Sequence, residues 1–108
     1  RNPDSAASAR ETLGSAAIAL TSDATAPDTA PTAIQACLDT FGGFDGLYHV
    51  AGGSGRRAGD GPLHELTLDG WNYTLNLNLT SLMLSNQAAV RQFLRQQTGG
   101  SVLNMGSV

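Results

Sequence analysis

An α/β fold with parallel strands is what this sequence predicts, on three observations. Short apolar runs alternate with helix-patterned segments, and no hairpin signal joins one run to the next, so right-handed helical crossovers must link the strands. A glycine-rich loop follows one run and a Gly-Ser pair follows another, at the strand ends where open α/β sheets bind ligands. At 108 residues the chain makes one domain at most, and a compact chain of this size buries only about two-thirds of its unfolded surface.

The elements follow in order. Asn2-Pro3-Asp4 reads as an N-cap, a first helical position and an acidic first turn, with Gly14 as the stop, so a short helix opens the chain. Ala16 to Thr21, with β-branched Ile18, is predicted as a buried strand ending at Ser22-Asp23. Ala30, Ala33, Ile34, Cys37, Leu38 and Phe41 then recur at helical spacing until Gly42-Gly43. That helix begins either near Pro27, with a distortion, or at Pro31, because proline is tolerated only in a first turn.

Gly46 to Val50 is predicted as the next buried strand. Ala51 to Gly61 holds five glycines in eleven residues and shows no periodicity, which makes it a loop. Thr67 is a good N-cap for a helix whose stripe of Leu75, Leu79, Leu82, Met83, Val90, Phe93 and Leu94 runs to Gly99-Gly100. From Leu68 to Thr98 it would span about 45 Å, long for a small domain. Ser101 to Met105 is the last strand, and it delivers Gly106-Ser107.

Composition narrows the function classes. The net charge is −3 with six arginines and no lysine, which argues against a nucleic-acid partner because phosphate neutralisation needs a basic patch. No apolar run reaches the roughly 20 residues of a membrane span, and no signal-peptide core is present, so a soluble cytoplasmic protein is expected. The single cysteine, Cys37, falls on a helix's apolar face and is read as an inert core thiol. His49 and His64 have no ligand-like spacing to other donors, and no metal is expected.

Three segments carry a family resemblance. Asp45 to Gly52 is similar to a D-x-L-V-N-N-A-G strand, Trp71 with Asn78-Leu79-Thr80 to a W-x6-N-L-T helix, and Gly100 to Val108 to a G-x-h-h-N-h-S-S-h strand. In that order and spacing they resemble the short-chain dehydrogenase/reductase family, over roughly residues 23–108. The resemblance implies a Rossmann-like three-layer αβα sandwich and hydride transfer between NAD or NADP and an alcohol or ketone. It also implies a homodimer or homotetramer formed through the long helix.

The same resemblance assigns roles. Ser107 stands at the serine that hydrogen-bonds the substrate oxygen, while a tyrosine assisted by a lysine exchanges the proton. The plainer reading of Ser107 is a turn cap. Asn78, mildly unfavourable inside a helix, stands at the asparagine that bends it and holds a water leading to the lysine; otherwise it is a solvated helical residue. Asp23 and the backbone of Ala24 stand where the family contacts adenine, although Asp23 also suits turn initiation.

The backbone of Val50, Ala51 and Gly52 would approach the nicotinamide-side ribose. Here the sequence departs from the pattern, since His49 and Val50 replace two asparagines and the hydrogen bonds of those asparagines are lost or remade. Arg1 stands where a basic residue can pair with the 2′-phosphate of NADP, a slight lean towards that cofactor. Arg56-Arg57 is read as a solvated loop pair, less readily as a contact for an anionic substrate.

Two family features do not occur in these residues: the glycine-rich phosphate loop, and the Tyr-x-x-x-Lys pair, since Tyr48 and Tyr73 are followed four residues on by Gly52 and Leu77. Residues 1–108 are therefore expected to be the central part of a single NAD(P)-binding domain, inactive alone. The competing expectation is a non-catalytic binding or assembly module of the same fold.

Overall fold

The computed structural model describes residues 2–107. Helix α1 spans Pro3–Leu13, with the Asn2 side chain accepting from the N–H groups of Asp4 (2.9 Å) and Ser5 (3.4 Å) and Gly14 as C-cap. It buries no residue and, among the described residues, packs only against the 3₁₀ turn Gly14–Ala16 that follows it. Capping and the pre-set φ of Pro3 define this helix, not an apolar face.

The strand expected at Ala16 to Thr21 does not form. Ala17 is extended, but residues 17–22 join no strand ladder among the described residues, and Ile18 and Leu20 are 40% and 49% exposed. The physical reason is topology. In a doubly wound sheet the third strand sits at an edge, two strands away from the fourth, so a run in that place has no ladder partner among the strands present.

Helix α2 spans Thr29–Phe41. It starts at neither proline: Asp28 is the N-cap position, Pro27 precedes it, and Pro31 falls in the first turn, where its missing N–H costs nothing. Gly42 ends the helix in the left-handed conformation, φ 76°. Strand β1 (Gly46–His49) and strand β2 (Ser101–Asn104) form a parallel pair, Gly46 opposite Ser101 through His49 opposite Asn104. Each is a residue shorter than expected.

The expected single helix from Leu68 is three pieces: α3 (Leu68–Leu75), a π-helical segment (Asn76–Thr80) and α4 (Ser81–Gln96). Thr67 caps it as expected, its hydroxyl accepting from the Gly70 N–H at 3.0 Å. The end comes earlier than Gly99-Gly100, because Gln97 itself turns left-handed at φ 58°.

Helix α4 lies over one face of the sheet, and α2 packs against α4. The core is Ile34, Phe44, Ala88, Ala89 and Phe93, with Ala30, Cys37, Leu38 and Leu47 against it, and the Phe44 and Phe93 rings stack at 5.1 Å. The Cys37 thiol donates to the Gly43 carbonyl at 3.2 Å. Strand alternation puts Leu47, His49, Val102 and Asn104 on the α4 side and Tyr48, Val50, Leu103 and Met105 on the other, where each of these four is at least 54% exposed.

The face of α4 that meets the sheet is not the leucine stripe. Its buried residues are Ser81, Ser85, Ala88, Ala89, Gln92 and Phe93, whereas Leu79, Met83, Val90 and Leu94 are 48–73% exposed. Small and polar side chains let the helix lie close, and hydrogen bonds fix it there. Asn86 and Asn104 exchange amide bonds at 2.9 and 3.1 Å, and the Gln96 amide donates to the Phe44 carbonyl at 2.8 Å.

Candidate active site

At the carboxyl ends of β1 and β2 the chain opens a cleft of about 410 Å³ whose walls include His49, Gly52, Asn78 and Ser107. Val50, Ala51 and Gly53 line it too. Gly52 and Ser107 thus share one end of the sheet, as parallel strands require. Ser107 is exposed there, three residues past the end of β2, and the Met105 N–H donates to the His49 carbonyl at 2.9 Å, extending the ladder towards it.

Asn78 is held inside the π-helical segment, a distortion frequent at functional sites. Its Oδ1 accepts from the Gly53 N–H and its Nδ2 donates to the Gly53 carbonyl, both at 2.9 Å, so the amide pairs with that backbone as a strand would. Nδ2 also donates to the Thr74 carbonyl at 2.9 Å, satisfying a group of the interrupted helix. The asparagine's unfavourable helix propensity is offset by these three bonds.

His49, one of the two departures from the family pattern, directs its ring to α4. It is buried, with Nδ1 2.8 Å from the Ser85 Oγ and Nε2 3.4 Å from the Ser81 Oγ. Nothing in the local sequence around His49 announces this. The legible signal is indirect: period-2 alternation puts His49 on the Leu47 face, and Asn78, Ser81 and Ser85 recur at helical spacing.

Asp23 and Ala24 do not line the cleft. The Asp23 carboxylate accepts from the Thr25 N–H (3.0 Å) and the Thr25 hydroxyl (2.8 Å), an Asx turn that leads into α2. Arg1 lies outside the described residues. The loop from Gly55 to Gly61 is fastened to α3, where the Thr74 hydroxyl donates to the Asp60 carboxylate at 3.0 Å and the Thr67 N–H to the Gly59 carbonyl at 3.1 Å. Among the described residues no three His, Cys, Asp or Glu side chains are grouped to hold a metal ion, and no helix is long and apolar enough to cross a membrane.

A parallel strand pair whose carboxyl ends present a serine, a helical asparagine and a bare Ala-Gly-Gly backbone on one cleft defines an open α/β fold with a cleft where such folds bind ligands. The comparisons with known proteins agree with it. A family model described as enoyl-(acyl carrier protein) reductase matches residues 1–108, and the chain belongs to the short-chain dehydrogenase/reductase family. It is 33% identical over 93 residues to an uncharacterized oxidoreductase of Schizosaccharomyces pombe, covering 86% of this chain and 34% of that protein.

It is 30% identical over 96 residues to 2-dehydro-3-deoxy-D-gluconate 5-dehydrogenase of Escherichia coli, covering 89% of this chain and 36% of that one. A crystal structure of a short chain dehydrogenase from Mycobacterium smegmatis superposes with a TM-score of 0.86 at 27% identity, over 99% of this chain and 44% of the other. The chain therefore spans about a third of the length of the curated relatives it matches. Its fold is part of their Rossmann-like α/β architecture.

Proposed function

We propose that the full-length protein is an NAD(P)-dependent oxidoreductase that interconverts an alcohol and a ketone. Residues 1–108 would be the central part of its one nucleotide-binding domain. The observation that carries this reading is the convergence of Ser107, Asn78 and the Val50–Gly53 backbone on one cleft at the strand ends. The residues fit a nicotinamide nucleotide: Ala51, Gly52 and Gly53 are exposed, with no side chain beyond a methyl group to keep a ribose off the backbone. A Cβ on Gly52 would fall 2.7 Å from the Asn78 Oδ1, so that smoothness is also needed to keep the Asn78 clamp.

Each residue then has a task. The backbone of Val50, Ala51 and Gly52 faces the ribose, Asn78 holds that backbone through Gly53, and the Ser107 hydroxyl donates to the substrate oxygen and orients it. The bound cofactor supplies or accepts the hydride. In this reading Asp23 and the backbone of Ala24 contact the adenine, and Arg1 leans the choice slightly towards NADP over NAD. A cytoplasmic location goes with this reading.

The test is absorbance of the nicotinamide with the purified full-length protein and a panel of ketones, starting with keto sugar acids because one relative is named for such a substrate. Cofactor-dependent turnover is expected. No binding and no turnover with either NADH or NADPH overturns the proposal.

The partner we propose is a second copy, as a homodimer or homotetramer through the long helix. Leu79, Met83, Val90 and Leu94 are exposed apolar residues left over once the small, polar face of α4 has met the sheet, and a two-fold pairing would bury them. Sedimentation of the full-length protein at micromolar concentration should give a dimer or tetramer. A monomer there would exclude it.

A further inference from the structure

We propose that His49 is a positioning residue for the cleft, pinning the carboxyl end of β1 to α4 so that the Ala51–Gly53 and Met105–Ser107 backbones keep a fixed relation. Its effect on cofactor affinity rests on the oxidoreductase reading, but the pin itself does not. Three connections meet at this residue. The imidazole reaches Ser85 at 2.8 Å and Ser81 at 3.4 Å, and the His49 carbonyl accepts from Met105, two residues before Ser107, at 2.9 Å. Three residues on, Gly52 leads into Gly53 and its clamp on Asn78.

The hydrogen bonds around the imidazole fix how it is held. The Ser81 hydroxyl donates to the Leu77 carbonyl at 2.6 Å and the Ser85 hydroxyl to the Leu82 carbonyl at 3.1 Å, so each serine oxygen is tied to its own helical turn while it meets the ring, and the imidazole is gripped at both nitrogens. Asn78, Ser81 and Ser85 lie on one face of the helix, so the backbone on either side of the cleft is referred to the same rigid element.

Without the pin, the carboxyl end of β1 loses its side-chain hydrogen bonds to α4 and keeps only its ladder to β2 and the Asn78 clamp. Cofactor-side and substrate-side groups held by a shared support keep the sub-ångström relation that positioning needs.

His49→Leu removes the pin while filling similar space. It orphans neither serine, because Ser81 keeps the Leu77 carbonyl and Ser85 the Leu82 carbonyl at 3.1 Å. His49→Asn keeps a hydrogen-bonding group where Nδ1 sits, an amide able to donate or accept, and should still engage Ser85. The experiment is amide hydrogen exchange on the cofactor-free full-length protein.

In His49→Leu the Gly53 and Met105 amides should exchange about tenfold faster than in the wild type, and in His49→Asn within about threefold of it, with α2 amides unchanged. Wild-type exchange at both amides in His49→Leu, or an equal acceleration throughout α2, overturns the proposal. Nicotinamide cofactor Kd, measured in parallel, should rise about tenfold in His49→Leu and recover in His49→Asn. A wild-type protein that binds no such cofactor fails the oxidoreductase reading, and the exchange comparison alone then decides the pin.

Discussion

Ser107→Ala in the full-length protein is expected to lower kcat by about 100-fold to 1,000-fold while leaving the cofactor Kd within about threefold of the wild type. The range is that of removing one pre-positioned donor from a site where charge develops on an oxygen. The hydroxyl earns that role by placement. Strand β2 is locked laterally by Asn104 to Asn86 and longitudinally by its ladder to β1, and Met105 carries the pairing one step further. Ser107, three residues past β2, is thus exposed on the same cleft as Gly52 and Asn78.

The loss should fall on kcat, because a bond to the reacting oxygen strengthens as that oxygen gains charge, whereas the cofactor is held by other atoms. Steady-state kinetics of the variant beside its thermal midpoint separates this from misfolding. A folded Ser107→Ala protein that keeps more than about a third of the wild-type kcat removes Ser107 from the reaction.

How far the sequence discloses this molecule depends on whether an element carries its own signals. Helix α1 is legible to the residue because Asn2, Pro3 and Gly14 are local signals that act without tertiary partners. The run from Ala16 to Thr21 has equally good local credentials, yet a strand exists only as one side of a ladder, and none of the described strands pairs with it.

The long helix shows the opposite failing. Its leucines are spaced as a packing stripe, but the sheet receives Ser81, Ser85, Ala88 and Ala89, because close approach favours small residues and hydrogen bonds over bulk. The π-helical segment has no periodic signature at all. It exists because Asn78 reaches the Gly53 backbone, 25 residues away. Parallel strand order alone sets Gly52 and Ser107 on one edge, but it sets Asp23 there too, which does not line the cleft, and the contacts of His49 appear only once α4 lies over β1.

Gly70→Ala should destabilise the protein by about 2 kcal/mol, against the sign that helix propensity alone predicts. Gly70 lies in the first turn of α3, where alanine would contribute up to about 1 kcal/mol in favour of the helix. A Cβ there, however, would fall 2.2 Å from the Gly59 carbonyl carbon and 2.4 Å from the Asp60 nitrogen. Both are backbone atoms of the glycine-rich loop, and backbone cannot rotate aside as a flexible side chain does.

Overpacking of this kind costs about 1–3 kcal/mol or more, so the clash outweighs the propensity gain. Relief requires the loop to lift off α3, which breaks the Thr67 to Gly59 bond and strains that of Thr74 to Asp60. Gly61→Ala is the matched control. A Cβ at Gly61 would meet no atom within 4 Å, and the φ of that residue is not left-handed, so alanine there should be neutral or stabilising by about 0.4–1 kcal/mol through the unfolded chain. Urea unfolding of the two variants measures the difference directly. If Gly70→Ala is as stable as Gly61→Ala, the loop is not seated on α3 as described, and the wall of the cleft beside Asn78 must be supported some other way.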